Sequence, residues 1–184
     1  MLYLETERLI LRDYQEPDFE SYYRLKSDPK TMYYLQDIQL HSLEEARADF
    51  DLVLSDQASP DRQFFFFRME KKDTHEQVGS IGYTVTARTP VGSIVNLGYF
   101  TDPSFWGKGY TSEALKAVLR YCFTRGEVYR VTTGCLAENR GSEGVMRKCG
   151  LVKEAEHLDW EWHDGRMKTR LEYRLLRREW EEGR

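Results

Sequence analysis

The segment from Gly92 to Leu136 constrains this chain more than any other. "GSIVNLGYF" and "VYRVTTGCL" have the β-branched and aromatic content of strands. Between them "TDPSFWGKGYTSEAL" passes through Gly107, Lys108 and Gly109 into a pattern in which Leu115, Val118, Leu119 and Cys122 share one helical face ahead of Gly126. Strand, crossover helix and strand make one βαβ unit.

The remaining segments predict antiparallel neighbours. Leu9, Ile10 and Leu11 form a strand core in "LETERLILRDY", and Pro17 suits the first turn of a helix in "EPDFESYYRLKSD". Ser42 and Glu45 have capping-box spacing at the head of a second helix, along which Leu43, Ala46, Phe50, Val53 and Leu54 recur. "QFFFFRMEK" and "EQVGSIGYTVTAR" precede "GSIVNLGYF" in an antiparallel meander, with "KKDTH" and "TPVG" supplying the turns. "NRGSEGVMRKCGL" predicts a short helix with Val145, Met146 and Cys149 on one face and Gly150 as its left-handed stop. "LVKEAEHLDWEW" and "TRLEYRLLRREW" flank the turn "HDGR" as a closing hairpin. The order of strand, two helices, three strands, helix, strand, helix and two strands defines a mixed α/β (α+β) sheet. With 184 residues, 40% hydrophobic, and no repeat or linker, one domain over residues 1–184 is expected.

Several functions are disfavoured at this level. Lys and Arg number 27 against 31 Asp and Glu, a net charge of -4, which leaves no global basic footprint for nucleic acid. No apolar run approaches the roughly 20 residues that span a bilayer, and the charged start "MLYLETERLILRDY" lacks a secretory core, so a cytoplasmic location and no membrane partner are expected. Cys122, Cys135 and Cys149 are odd in number and set in apolar patterns, as small core residues in a reducing compartment would be. His41, His75, His157 and His163 show no ligand spacing, so no metal is expected.

The glycine turn carries the chemistry. A helix that starts there leaves backbone N–H groups without intrahelical partners, and with the positive end of the helix dipole they make a site for phosphate or pyrophosphate. Gly107 and Gly109 alone also fit an ordinary tight turn, since they form neither a G-x-G-x-x-G fingerprint nor a P-loop. Lys108 adds complementary charge, and "AENRGS" follows the next strand, where a crossover unit places ligands.

With "LETERLILR", "FWGKGYTSEAL", "NRGSEGVMRKCGL" and "YRLLRREW" in this order, the chain resembles the GNAT superfamily of acyl-CoA-dependent N-acetyltransferases, and within it the Rim-type group that acetylates protein N-termini, first described on ribosomal proteins. The resemblance implies a mostly antiparallel sheet splayed between its fourth and fifth strands and flanked by about four helices. It also implies acetyl-coenzyme A as cosubstrate. The family's pyrophosphate loop falls on Trp106, Gly107, Lys108, Gly109, Tyr110 and Thr111, with Trp106 and Thr111 departing from the usual Gln or Arg and Gly or Ala. By position, Tyr99, Phe100 and Thr101 would pair with the pantetheine arm.

The implied reaction is direct attack of an amine on the acetyl thioester, with no covalent cysteine intermediate. The resemblance makes Asn139 a CoA contact and Ser142 an acid for the departing thiolate, although Ser142 also suits a helix N-cap. Many relatives carry a glutamate where this chain has Asn96, and an amide cannot accept the proton. The Rim-type pattern instead points to Glu161, which Trp160 and Trp162 would partly desolvate; a solvated hairpin face is the other reading. Glu113 reads as a stabiliser of its helix start. The acceptor is expected to be the α-amino group of a protein or peptide. A small amine (polyamine, amino acid or aminoglycoside) is the alternative, as is a CoA-binding module without turnover, and the chain is expected to be a monomer or homodimer.

Overall fold

A computed structural model of the chain describes residues 1–183. Eight strands follow the hydrogen-bonded order β1-β2-β3-β4-β5-β6-β8-β7. Two compact units divide the chain: residues 1–84 with 98–118, and residues 85–97 with 119–184.

In the first unit β1 (Tyr3–Glu5), β2 (Leu9–Asp13), β3 (Phe64–Lys71) and the start of β4 (Gln77–Thr89) pair antiparallel, as in Leu11 opposite Met69 and Phe67 opposite Ile81. The short β1 has no hydrophobic pattern that predicts it. Leu9 and Leu11 are fully buried. Helices α1 (Phe19–Ser27) and α2 (Leu43–Gln57) close a core of Tyr14, Tyr22, Leu40, Ala46, Phe50 and Val53, in which Tyr22 and Phe50 stand 4.9 Å apart between ring centroids. The Ser42 hydroxyl oxygen accepts from the Glu45 amide, but the Glu45 carboxylate accepts from His41 N–H one residue earlier than the capping box requires. Gly79 on β4 is obligatory for a different reason: a Cβ there would lie 2.4 Å from the Phe100 carbonyl, so only glycine lets β4 crowd the end of β5 (Gly92–Thr101).

A buried ion network lies in this unit. Arg12 donates to both oxygens of Asp18, at 2.7 and 2.9 Å, and reaches Glu70 at 3.1 Å; Arg68 donates to Glu70 at 2.8 Å and to Gln77 at 2.9 Å. Burial alone would push the Asp18 and Glu70 carboxyls up, but hydrogen bonds from Arg12 and Arg68 outweigh it and hold both below the usual range. A carboxyl depressed in the folded state takes up its proton more readily when unfolded, so its stabilisation is complete above the unfolded pKa of about 4 and is lost as pH falls through the folded value. Urea midpoints should therefore be flat from about pH 7 to 5 and fall steeply below about 4. Substituting Glu70→Gln should flatten that acid limb.

In the second unit β5 runs parallel to β6 (Val128–Leu136) over Ser93–Asn96 and Val128–Thr132. Antiparallel β8 (Arg166–Leu176) follows, and β7 (Val152–His163) pairs with it from the outside. The crossover helix α3 (Tyr110–Thr124) buries Leu115, Val118, Leu119 and Cys122 as its pattern predicts. The last expected strand is shorter than its sequence suggests. It stops at Leu176, whose N–H donates to the Glu179 carboxylate at 2.9 Å, and Arg177–Glu182 forms α5, so among the described residues there are five α-helices where about four helices were expected. All three cysteines are free; Cys122 and Cys135 are buried and Cys149 is half-buried.

Candidate active site

In the first unit the end of β5 leads into the glycine turn. Tyr99 and Phe100 are half-buried and Thr101 is buried. The Thr101 hydroxyl meets the Thr111 hydroxyl at 2.8 Å, and its carbonyl accepts from the Trp106 indole N–H at 2.7 Å. One of the backbone groups expected to face pantetheine is thus already engaged by the side chain that departs from the family pattern. Asp102 then folds a 3-10 turn over Pro103–Phe105 by accepting from both the amide and hydroxyl of Ser104.

Gly107 and Gly109 adopt φ of +72° and +82°, a region that side chains disfavour. At Gly107 a Cβ would meet nothing within 4 Å. Glu113 N–H makes the first bond of α3, to Gly109 O at 3.1 Å, so the amides of Tyr110 and Thr111 have no carbonyl one turn back. Lys108 is exposed, with its ammonium 5.4 Å from the Phe105 ring centroid. This is an anion cradle: open space over a glycine, a helix N-terminus and a cation together.

What holds it in shape comes from the other end of the sequence. The Arg8 guanidinium donates to the Lys108 carbonyl at 3.1 Å and lies 4.4 Å over the Tyr110 ring. Glu113 accepts from the Thr6 hydroxyl at 2.6 Å, from the Arg8 amide at 2.8 Å and from the Arg8 Nε at 2.7 Å. Against its partial burial, these bonds hold the Glu113 carboxyl below the usual glutamate range. Glu113 is therefore an anchor as well as a favourable first-turn acid. No local spacing in the sequence singles out Arg8 and Thr6, because their partner Glu113 lies more than a hundred positions away.

The second unit places Asn139 and Ser142 at the start of α4 (Arg140–Lys148). Asn139, not Ser142, is the N-cap: its Oδ1 accepts from the Ser142 backbone N–H at 3.1 Å, leaving the serine hydroxyl out of the cap. That hydroxyl is hydrogen-bonded to the Cys135 thiol, which burial pushes up to about 11, so Cys135 stays protonated and is no nucleophile at neutral pH. The first turn is fixed further by Tyr173, whose hydroxyl donates to Glu143 at 2.9 Å; burial and that carboxylate push the phenol up to about 12.

Asn96 is exposed on β5. Glu161 on β7 is half-buried, opposite Lys168, and accepts from the Arg170 guanidinium at 2.8 Å. Trp160 and Trp162 are both exposed, because strand alternation points them away from the face that Glu161 occupies. The expected desolvation of Glu161 by two indoles is thus corrected: its partner is a cation. Among the described residues no group of three or more His, Cys, Asp or Glu could hold a metal, and no helix is long and apolar enough to cross a membrane.

The mixed sheet, the crossover and the anion cradle define an α/β fold with a built anion site, and comparison with known proteins gives it a family. The model of the acetyltransferase (GNAT) domain matches residues 8–152, so the chain belongs to the GNAT family of acetyltransferases. It is 28% identical over 177 residues to the uncharacterized N-acetyltransferase p20 of Bacillus licheniformis, covering 96% of this chain and 97% of that one. It is 26% identical over 120 residues to the ribosomal protein uS5-alanine N-acetyltransferase of Escherichia coli, covering 65% of this chain and 61% of that one. The spermidine N-acetyltransferase of Vibrio cholerae, solved with CoA and spermine, superposes with a TM-score of 0.81 at 17% identity, over 94% of this chain and 97% of that one. The protein is an N-acetyltransferase-family acyltransferase.

Proposed function

We propose that the chain, as a single acetyltransferase domain, transfers the acetyl group of acetyl-coenzyme A to the α-amino group of a protein or peptide. The observation that carries the donor is the cradle: positive-φ Gly107 and Gly109 ahead of α3, with Lys108 beside them and Arg8 and Glu113 anchoring the loop. Gly107, Lys108, Gly109, Tyr110 and Thr111 would hold the pyrophosphate through backbone amides, with Trp106 fixing the entry to the loop; Tyr99, Phe100 and Thr101 would line pantetheine. Asn139 would contact CoA through its amide N–H groups, since its oxygen is spent on the cap. The neutral amine attacks the thioester carbonyl, the proton its nitrogen must shed passes to a base or to water, the tetrahedral intermediate expels the CoA thiolate, and the Ser142 hydroxyl gives that thiolate a proton, to be resupplied by water.

Glu161 is assigned the base by resemblance alone, and its carboxylate is already paired with the Arg170 guanidinium. The acceptor is taken to be the neutral amine. The protein-acceptor reading draws on the uS5-alanine relative. One observation bears on a small cationic amine instead: a cavity of about 350 Å³ in the first unit, lined in part by Asp37 and Glu45, with Asp49 in the same lining already paired with Lys26.

Release of CoA from acetyl-CoA should be followed with N-terminal peptides and with a small-amine panel, each from pH 6 to 10. A peptide acceptor should give a rate that rises with pH and levels near the α-amino pKa of about 8, whereas an aliphatic amine should climb to about 10. No release with any peptide, alongside turnover of a polyamine, would replace the first acceptor with the second. No release with any amine would remove both.

A further inference from the structure

Trp106 and Thr111 are the two positions of the glycine turn that depart from the usual family pattern, and in the structure both bond to one residue. The Trp106 indole N–H donates to the Thr101 carbonyl at 2.7 Å, and the Thr111 hydroxyl meets the Thr101 hydroxyl at 2.8 Å. The turn has other bonds to close it: Asp102 accepts from the Ser104 amide, Trp106 N–H donates to Pro103 O at 3.2 Å, and Arg8 holds the Lys108 carbonyl. The bonds to Thr101 are of another kind, because they tie the end of β5 to the middle of the loop and to the first turn of α3. We propose that Thr101, Trp106 and Thr111 form a clasp of positioning residues, which fixes the span between the strand end and the anion cradle for a donor that occupies both. This rests on the acetyl-coenzyme A reading of the site and is independent of the acceptor.

The backbone gives the clasp its purpose. Asp102 N–H reaches Val78 O on β4 at 2.9 Å, so by alternation the N–H and C=O of Thr101, and of Tyr99 two residues back, turn away from β4. Pantetheine would run along that edge, and pyrophosphate would meet the amides of Tyr110 and Thr111. Between the two lie residues 102–109, which include Gly107 and Gly109 at positive φ and would have many conformations if left to themselves. A ligand with two halves gains from its second contact only at the effective concentration that the connection between the two half-sites allows, and a stiff connection of the right length raises it. Thr101 is suited to supply that stiffness. It is 7% exposed, and its carbonyl and hydroxyl each hold a different part of the loop. Trp106 is 51% exposed, with the Lys30 ammonium 5.7 Å from its ring centroid, so its indole does not serve to fill the core. A Gly or Ala at position 111 would have no hydroxyl to offer, so the two departures act together.

Titration calorimetry of the full chain with CoA, and with ADP by displacement, separates a fixed span from ordinary packing. ADP has the pyrophosphate without the pantetheine arm and so reports on the cradle alone. Trp106→Phe keeps an aromatic ring beside Lys30 and loses the N–H; Thr111→Val keeps the β-branched shape and loses the hydroxyl. Each should weaken CoA about fivefold, the size of one hydrogen bond, and leave ADP within twofold of the parent. Neither should shift the melting temperature by more than a few degrees. Equal losses for CoA and ADP would make the two side chains plain supports of the cradle and overturn the inference. So would unchanged or tighter CoA binding in Trp106→Phe, the latter meaning that the indole competes with pantetheine for the Thr101 carbonyl. A parent chain that binds CoA no more tightly than ADP would overturn the coenzyme reading itself, and the clasp with it.

Discussion

Replacing Gly109 by valine raises the KM for acetyl-CoA by about 10- to 100-fold and leaves kcat within about threefold of the parent. Gly109 holds φ +82°, and a β-branched residue there costs on the order of 1–3 kcal/mol, each 1.4 kcal/mol being a factor of ten. The chain can escape that cost by relaxing the loop, because the nearest atom to an added Cβ is the end of a flexible side chain, Arg8 Nη2 at 3.5 Å. Folding should therefore survive while the amides of Tyr110 and Thr111 lose their aim. That pattern, weaker donor binding with intact turnover, is what removal of uniform binding predicts. Steady-state kinetics at saturating acceptor, with calorimetric titration of CoA, measure it. A KM within threefold of the parent would mean that the turn does not hold the donor.

Ser142→Ala has the complementary signature. General acid catalysis contributes typically 10²–10⁴-fold, so kcat should fall by about 10²-fold with the KM for acetyl-CoA unchanged. The structure makes this variant unusually clean. Asn139 caps α4 through the backbone N–H of residue 142, which alanine retains, and Tyr173 still fixes Glu143 one residue on. The helix start should stay in place while only the hydroxyl is lost, and the melting temperature should shift by no more than a few degrees. Asn139→Ala is the contrasting case, since loss of a cap costs about 1 kcal/mol and would disturb the donor contact as well. Single-turnover acetylation with a good leaving group in place of CoA would restore much of the lost rate if the serine is the acid; equal losses with both donors would assign it a positioning role only.

Most of the architecture is legible where one local rule governs. The α3 face of Leu115, Val118, Leu119 and Cys122 is buried as its 3.6-residue recurrence requires, and β6 spans Val128–Leu136 because its apolar run is bounded by turn chemistry on both sides. Legibility ends where a second partner decides. "LLRREW" has the apolar start of a strand, but a Glu179 carboxylate three residues beyond Leu176 turns it into a helix. Glu161 looks flanked by indoles in the sequence, yet alternation sends both rings to the other side and supplies Arg170 from the neighbouring strand. The serine of "NRGS" reads equally as cap or acid until Asn139 takes the capping bond. In each case the sequence names the residue, and the contact that assigns its role comes from elsewhere in the chain.

The Thr6–Arg8–Glu113 clamp has a consequence for the chain's first residues. A bond between two sites is felt equally from both ends: if the clamp shapes the loop for an anion, an anion in the loop must tighten the clamp. If the loop holds acetyl-CoA, Thr6 and Arg8 share one equilibrium with it. A substitution at Thr6 would then be read out as donor affinity at a loop a hundred residues away, and the order of the segment between β1 and β2 would rise with donor binding.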